Sequence, residues 1–488
     1  MFDPNKNNIP KHDVVIVGAG LSGIAAAYHI QHTCPEKKIT ILEARTCIGG
    51  TWDLFQYPGI RSDSDMYTLG FSFNPWKNPK AIADGSDILN YVIDTAKKFG
   101  IDKQIQFNHK VLDASWSDVD KLWTLQIAPH ELVKQEKIQC NFLFMCSGYY
   151  DYSGGYAPAF ANSELFKGII IHPQKWDTSL SYENKKVVVI GSGATAVTLV
   201  PEMSKKAASV TMLQRSPTYI ISLPSKDKIA NLLRKILPQQ LAYTIARWKN
   251  ILFSLGFYNV SRKWPKFVKG LIQKGIKKQL GDKYDRKHFN PQYNPWDQRL
   301  CIVPDADLFR AIRNKNVEIV TDTIERFTPK GILLKSAREL EADIIVTATG
   351  LVVQLFGGMT MTVNGKSVDI GKTYCYRGVM LSDVPNFAIA IGYTNASWTL
   401  KCDLNCSYVT RILKYMEQNK FSICTPKFDS NAFASEPFLD FDSGYIKRAG
   451  GRLPMQGSRS PWKVYQNYIK DSVILKFGSV NDKYLEYK

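Results

Sequence analysis

Two glycine-rich turns, each set between an apolar run and a helix-forming stretch, constrain this chain more than any other feature of its sequence. The first follows Val14, Val15, Ile16 and Val17 and reads Gly18-Ala-Gly20-Leu-Ser-Gly23, running on into Ile24-Ala-Ala-Ala-Tyr-His-Ile30. Strand, glycines and helix in that order are what a dinucleotide pyrophosphate needs. Gly18 permits the tight turn, Gly20 lets the backbone approach the phosphates, and Gly23 lets the helix pack closely on the strand, so that the helix N-terminus faces the anion. A second apolar run, Lys38-Ile-Thr-Ile-Leu42, ends in Glu43, where a carboxylate can accept both hydroxyls of an unphosphorylated adenosine ribose. This first site suits FAD or NAD and rejects NADP.

The second turn repeats the pattern with different ribose chemistry. Val187-Val-Val-Ile190 precedes Gly191-Ser-Gly193-Ala-Thr-Ala196, with Ala196 in the third small-residue position. The next strand, Val210-Thr-Met-Leu213, leads to Gln214-Arg215-Ser216 where the first site has an acid. A cation and a hydroxyl suit a 2′-phosphate, so this site is expected to take NADPH. Two dinucleotides held in one chain point to an electron-transfer enzyme.

Composition narrows the class. The nine cysteines form neither a CxxC pair nor a metal-binding spacing, so they read as reduced thiols. That weakens the pyridine-nucleotide disulfide reductases, the main competing class with two dinucleotides, which usually need a redox-active cysteine pair. Residues 1–13 are polar and no apolar run approaches membrane-spanning length, so a cytoplasmic protein is expected. The net charge of +19 is concentrated: residues 226–287 hold 16 Lys and Arg against 3 Asp and Glu. Within this stretch, residues 229–237 and 241–253 carry apolar side chains at helical spacing, which predicts a basic helical insertion. A solvated helical face, a surface for anionic lipid and a nucleic-acid patch remain open for it, although no nucleic-acid module is legible.

After the insertion the α/β pattern resumes, with strands expected at residues 317–320 and 331–334, then a buried strand from Asp343 to Gly350. That last segment is expected to return the chain to the flavin domain, with Asp343 and Gly350 among the FAD contacts. Residues 385–392 read as a final strand before the small polar loop Tyr393-Thr-Asn395-Ala-Ser-Trp398, suited to the vicinity of a flavin ring. The fold class is α/β, with two Rossmann-like dinucleotide-binding domains and the basic insertion. The expected boundaries are 1–148 and 343–488 for the FAD domain with the C-terminal region, 149–222 and 299–342 for the NADPH domain, and 223–298 for the insertion.

Two further motifs carry a family resemblance. Phe166-Lys-Gly168-Ile-Ile-Ile-His172-Pro-Gln-Lys-Trp176-Asp177 fits the pattern FxGxxxHxxxW(P/D), and Gly49-Gly50-Thr51-Trp52 followed by Tyr57-Pro58-Gly59 and Asp63 fits GGxW…YPG…D. In both, the chain resembles the FAD-containing Baeyer–Villiger monooxygenases. The segments 61–71, 191–201, 212–220, 293–301 and 392–400 are similar to the ethionamide-activating subgroup, over almost the whole length. The resemblance implies FAD contacts at Gly50, Thr51, Trp52 and Asp63. It implies oxygenation by NADPH and O2 through a C4a-peroxyflavin, converting ketones to esters, and oxygenation of thioether or thioamide sulfur. It places Arg299 as the cation that stabilises the anionic adduct and Asp63 as the carboxylate that orients this arginine. Phe166, Gly168, His172 and Trp176 lie between the two domains, so control of domain rotation is expected of them rather than proton transfer. A flavin monooxygenase that oxidises nitrogen or sulfur, and a plain NADPH-dependent flavin reductase, are the alternatives.

Overall fold

The computed structural model describes residues 9–129, 136–298, 300–314, 316–438 and 444–488. Five parallel strands lie side by side in the order Phe387–Ile389, Glu136–Met145, Lys11–Val17, Ile39–Leu42 and Ile105–Gln106. The first half of Glu136–Met145 also pairs with Leu122–Pro129, which starts an antiparallel extension of the same sheet through His109–Ser117. Both faces of Lys11–Val17 are covered. Val14 and Ile16 enter the core beneath helix Leu21–Thr33, whereas Val15 and Val17 enter the core on the opposite face, as the two-residue period of a strand requires. A strand buried on both faces reads as an unbroken apolar run. Thr360–Val363 and Phe387–Ile389 add late strands to this early sheet, so the sheet is discontinuous in sequence.

The second sheet is wholly parallel, in the order Val317–Thr321, Ser209–Gln214, Lys186–Ile190, Ile344–Thr347 and Ile169–Ile171. Val187 and Val189 point to one core, Val188 and Ile190 to the other. The second of these is closed by the meander of Ile324–Thr328, Gly331–Leu334 and Glu339–Glu341. One sequence expectation is corrected here. Ile344–Thr347 lies inside the second sheet between Lys186–Ile190 and Ile169–Ile171, so the chain leaves this domain after that strand and not at residue 343. Four consecutive buried residues announce a central strand without saying in which sheet it is central.

The two crossings between the domains run against each other. Asp151 N–H donates to the Val352 carbonyl (2.9 Å), Gln354 N–H to that of Tyr149 (3.0 Å) and Tyr156 N–H to that of Gly350 (2.9 Å). The insertion, helices Lys228–Ile236, Gln239–Lys263 and Pro265–Leu280, spans both domains. Ala230, Tyr243, Ala246, Ile251 and Leu255 join the first domain's core, while Val268, Ile272, Ile276 and Leu280 join that of the second. Arg247 is buried against the first domain, donating to the carbonyls of Tyr67 (2.8 Å) and Gly70 (2.7 Å) and to Asp403 (3.3 Å) on helix Trp398–Gln418.

Candidate active site

The first glycine turn forms one wall of a cavity of about 680 Å³. Gly18 has φ +106°, and a Cβ there would stand 2.7 Å from the Cys146 carbonyl oxygen; at Gly23 a Cβ would meet the Gly18 carbonyl at 1.8 Å. These contacts press helix Leu21–Thr33 onto the turn. Its first turn holds no acidic residue and receives no side-chain cap, so the amides at its N-terminus stand open to an anion. Gly20 packs directly against Gly50 in the cavity wall: a Cβ on Gly50, whose φ is +56°, would lie 3.2 Å from the Cα of Gly20. Glu43 is buried at the end of Ile39–Leu42, where Ala19 N–H donates to one carboxylate oxygen (2.7 Å) and Arg45 N–H to the other (2.9 Å). Burial pushes its pKa above the usual glutamate range, against the two amides, which hold it down. Each oxygen keeps a lone pair for a ribose hydroxyl. The cradle fits the dinucleotide that the sequence predicts.

Thr51 and Trp52 line the same cavity, and Thr51 bonds the Tyr152 hydroxyl. From there the chain crosses to the second domain. Phe55 and Tyr57 are buried in the second domain's core, and the Tyr57 hydroxyl bonds Thr195, in the first turn of helix Ala194–Met203. Gly59, at φ +77°, lies against that helix, where a Cβ would come within 2.9 Å of Glu202. Arg61 then pairs with Asp307 of the second domain at 2.5 Å. Asp63, two residues further on, lines the first cavity at this junction. It is not the cap of the next helix: Asp65 caps Met66–Leu69 by accepting from Thr68 N–H. Arg299 lies outside the described residues. Directly after it, Leu300 and Cys301 are buried in the second core, and the Cys301 thiol lies 3.9 Å from the carbonyl of Ser192 in the second glycine turn.

At that turn Gly191 has φ +139°, and a Cβ would meet the Ala348 carbonyl at 2.3 Å. Gly193 faces open space, helix Ala194–Met203 starts there without a side-chain cap, and Ala196 is fully buried beneath it. Arg215 and Ser216 are exposed beside the turn, with the Ser216 carbonyl accepting from the Ser192 hydroxyl (3.2 Å). Gln214 departs from expectation. Its side chain is buried, and its amide donates inward to the His288 carbonyl and the Thr321 hydroxyl, both at 2.9 Å.

The residues from Phe166 to Trp176 sit at the crossing. Phe166 packs edge-on to Phe327, and a Cβ on Gly168 would lie 2.3 Å from the Asp343 carbonyl. Trp176 packs against the second core. His172 Nδ1 accepts from Gln174 N–H (3.1 Å), which leaves the ring proton on Nε2, donating to the Gly350 carbonyl (3.2 Å). Burial lowers the pKa of His172, which favours the neutral ring, and both nitrogens are engaged. Gly350 therefore belongs to the interdomain crossing and not to the first cavity. Asp343 is also displaced from its expected place: its carboxylate accepts from Lys186 N–H (2.7 Å) at the start of Ile344–Thr347. That is the opposite end of the strand from the glycine turn, roughly 16 Å away at the rise of a strand.

This geometry, two anion-ready helix termini bridged by one loop, agrees with the comparisons. The model of the flavin-binding monooxygenase-like family matches residues 11–419. The chain belongs to that family. It is 55% identical over 477 residues to the FAD-containing monooxygenase EthA of Mycobacterium tuberculosis, covering 97% of each chain. It is 48% identical over 480 residues to a probable FAD-binding monooxygenase, AlmA, of Acinetobacter baylyi, covering 98% of this chain and 96% of the other. A solved oxidized steroid monooxygenase bound to NADP shares the fold, with TM-score 0.77 and 20% identity over 98% of this chain and 99% of that one.

Several side chains at this flavin-binding monooxygenase site escaped the sequence reading. Tyr149 and Tyr152 line the first cavity from one crossing and Gln354 from the other. Tyr149 stacks on Trp398 (5.2 Å between centroids), whose indole N–H donates to the Ser22 hydroxyl (2.8 Å) in the first turn of helix Leu21–Thr33. Tyr393 also lines the cavity, so the loop from 393 to 398 does reach it. The cluster of three tyrosines at 149, 150 and 152 just after a buried strand was the available signal.

Proposed function

We propose that this chain is an NADPH- and oxygen-dependent Baeyer–Villiger monooxygenase that converts ketones to esters, with oxygenation of thioether and thioamide sulfur as a second outcome at the same site. FAD and NADPH, when bound, supply hydride transfer and oxygen activation. The observation that carries the reading is the loop from Gly50 to Gly59, which lines the first cavity at one end and bonds the second helix N-terminus through Tyr57 at the other. One short loop thus ties both nucleotide cradles together, and its end brings Asp63 to their junction.

The side chains divide the remaining work. Glu43 accepts the ribose hydroxyls of FAD, Gly50, Thr51 and Trp52 close the cavity around it, and the amides after Gly20 face its pyrophosphate. Arg215 and Ser216 receive the 2′-phosphate of NADPH, with the amides after Gly193 on its pyrophosphate. Arg299 stabilises the oxyanion that develops on the ketone carbonyl, a role that strengthens where water is excluded. Asp63 orients Arg299. His172, neutral and hydrogen-bonded on both nitrogens, holds the domain crossing in place and moves no proton.

Mass spectrometry of the product from a linear methyl ketone, NADPH and 18O2 tests the reading. Ester carrying one 18O atom, with the second oxygen leaving as water, is expected. Unchanged ketone with NADPH consumed and hydrogen peroxide released would make the protein an oxidase or a flavin reductase.

A further inference from the structure

Among the described residues eighteen large hydrophobic side chains are exposed, and fourteen of them fall in two segments, 229–271 and 469–477. On helix Gln239–Lys263, Leu241, Ile245, Trp248 and Leu252 recur at helical spacing on the side opposite Tyr243 and Arg247, the residues that dock the helix on the first domain. Ile229, Leu232 and Ile236 form a matching stripe on helix Lys228–Ile236. Trp264 and Phe267 are exposed where Gln239–Lys263 turns into Pro265–Leu280. The Trp248 ring meets Tyr468 edge to face at 5.9 Å, which carries the apolar surface on to Ile469, Val473 and Phe477. The surface is ringed by exposed cations, including Lys228, Lys235, Arg262, Lys263, Lys266 and Lys274. Apolar and aromatic side chains fringed by Lys and Arg make the signature of a helix lying in the plane of a bilayer surface, its apolar face among acyl chains and its cations at the headgroups. No described helix is long and apolar enough to cross a membrane.

We infer that the helical insertion, with the segment 468–477, is a docking surface for an anionic lipid bilayer. Tyr258, on the same helix, lines a cavity of about 190 Å³ together with Trp296 and Asn395. Asn395 belongs to the loop that bounds the flavin cavity, so the docked helix connects the bilayer face to the neighbourhood of the site.

The test uses the full-length, FAD-loaded enzyme in co-sedimentation with phosphatidylcholine vesicles, with and without phosphatidylglycerol. Binding is expected to be at least tenfold stronger to the anionic vesicles and to fall with added salt. The double variant Leu252→Asp with Phe267→Asp is expected to lose at least tenfold in binding while keeping its bound FAD and its NADPH oxidation. Failure of the wild-type enzyme to sediment with anionic vesicles would overturn the inference, as would binding indifferent to lipid charge and salt. So would self-association of wild type, abolished by the double variant and unaccompanied by vesicle binding, which would assign the surface to a second copy of the chain.

Discussion

At the scale of single residues, the fingerprints were legible and the parity of the last strand residue was not. Gln214, Arg215 and Ser216 look alike in sequence as polar residues after a strand. In the structure Gln214 is still part of the strand, shares the inward face with Met212, and spends its amide there, so the proposed 2′-phosphate contacts are Arg215 and Ser216 alone. Arg215→Ala should raise the KM for NADPH roughly 10- to 100-fold, the worth of a charge-assisted hydrogen bond, and leave that for NADH nearly unchanged. Steady-state kinetics with both nucleotides decides it, and equal effects would remove the 2′-phosphate assignment. His172 gives a second prediction. Its folded pKa lies below the usual 6.5, so its contribution to the domain crossing is complete above that pH. The contribution is lost as pH falls from 6.5 towards the folded value, because the unfolded chain takes the proton first. His172→Ala should retain FAD while turnover slows or NADPH oxidation uncouples from oxygenation, and acidification should reproduce that uncoupling in wild type but add little in the variant. A colourless variant would contradict the assignment.

At the scale of elements, apolar periodicity located the strands ahead of both glycine turns, the meander strand Gly331–Leu334 and the first two insertion helices, because each buries a face whose period is written in the sequence; helix Pro265–Leu280 was not read. Neighbours were not written there. Ile344–Thr347 is a central strand of the second sheet, and nothing within its four residues distinguishes that from a place in the first. Net charge likewise hid the buried cation of the insertion. Arg247 repeats the face of Tyr243 one helical turn on, and it is buried against Asp403 and three carbonyls. Arg247→Ala leaves buried Asp403 with only His29 at 3.5 Å and the Ser72 N–H at 3.3 Å, and takes the guanidinium donor from the carbonyls of Tyr67 and Gly70, so it should cost about 3–5 kcal/mol. Denaturant unfolding followed by flavin fluorescence checks this, and a loss below about 1 kcal/mol would show that the insertion docks by its apolar contacts alone.

At the scale of the whole molecule, the chain is two nucleotide folds held together in three ways: the antiparallel crossings at 149–156 and 350–354, the loop from Gly50 to Arg61, and the insertion that packs on both cores. Family and fold could be argued from motifs because chemistry fixes the residues that touch phosphates. The crossings and the bridging insertion could not, since they depend on which distant backbone meets which. Under the proposed function, the cofactors are assigned to the two folds and the outcome for the substrate to Arg299 and Asp63. The decisive measurement is product analysis by mass spectrometry on a linear probe bearing both a methyl ketone and a thioether, given to FAD-loaded wild type and to Arg299→Ala with NADPH and oxygen. Ester and sulfoxide from wild type, with ester lost in Arg299→Ala while flavin reduction persists, is the predicted result. Sulfoxide alone from wild type, or ester formation retained in the variant, would contradict it.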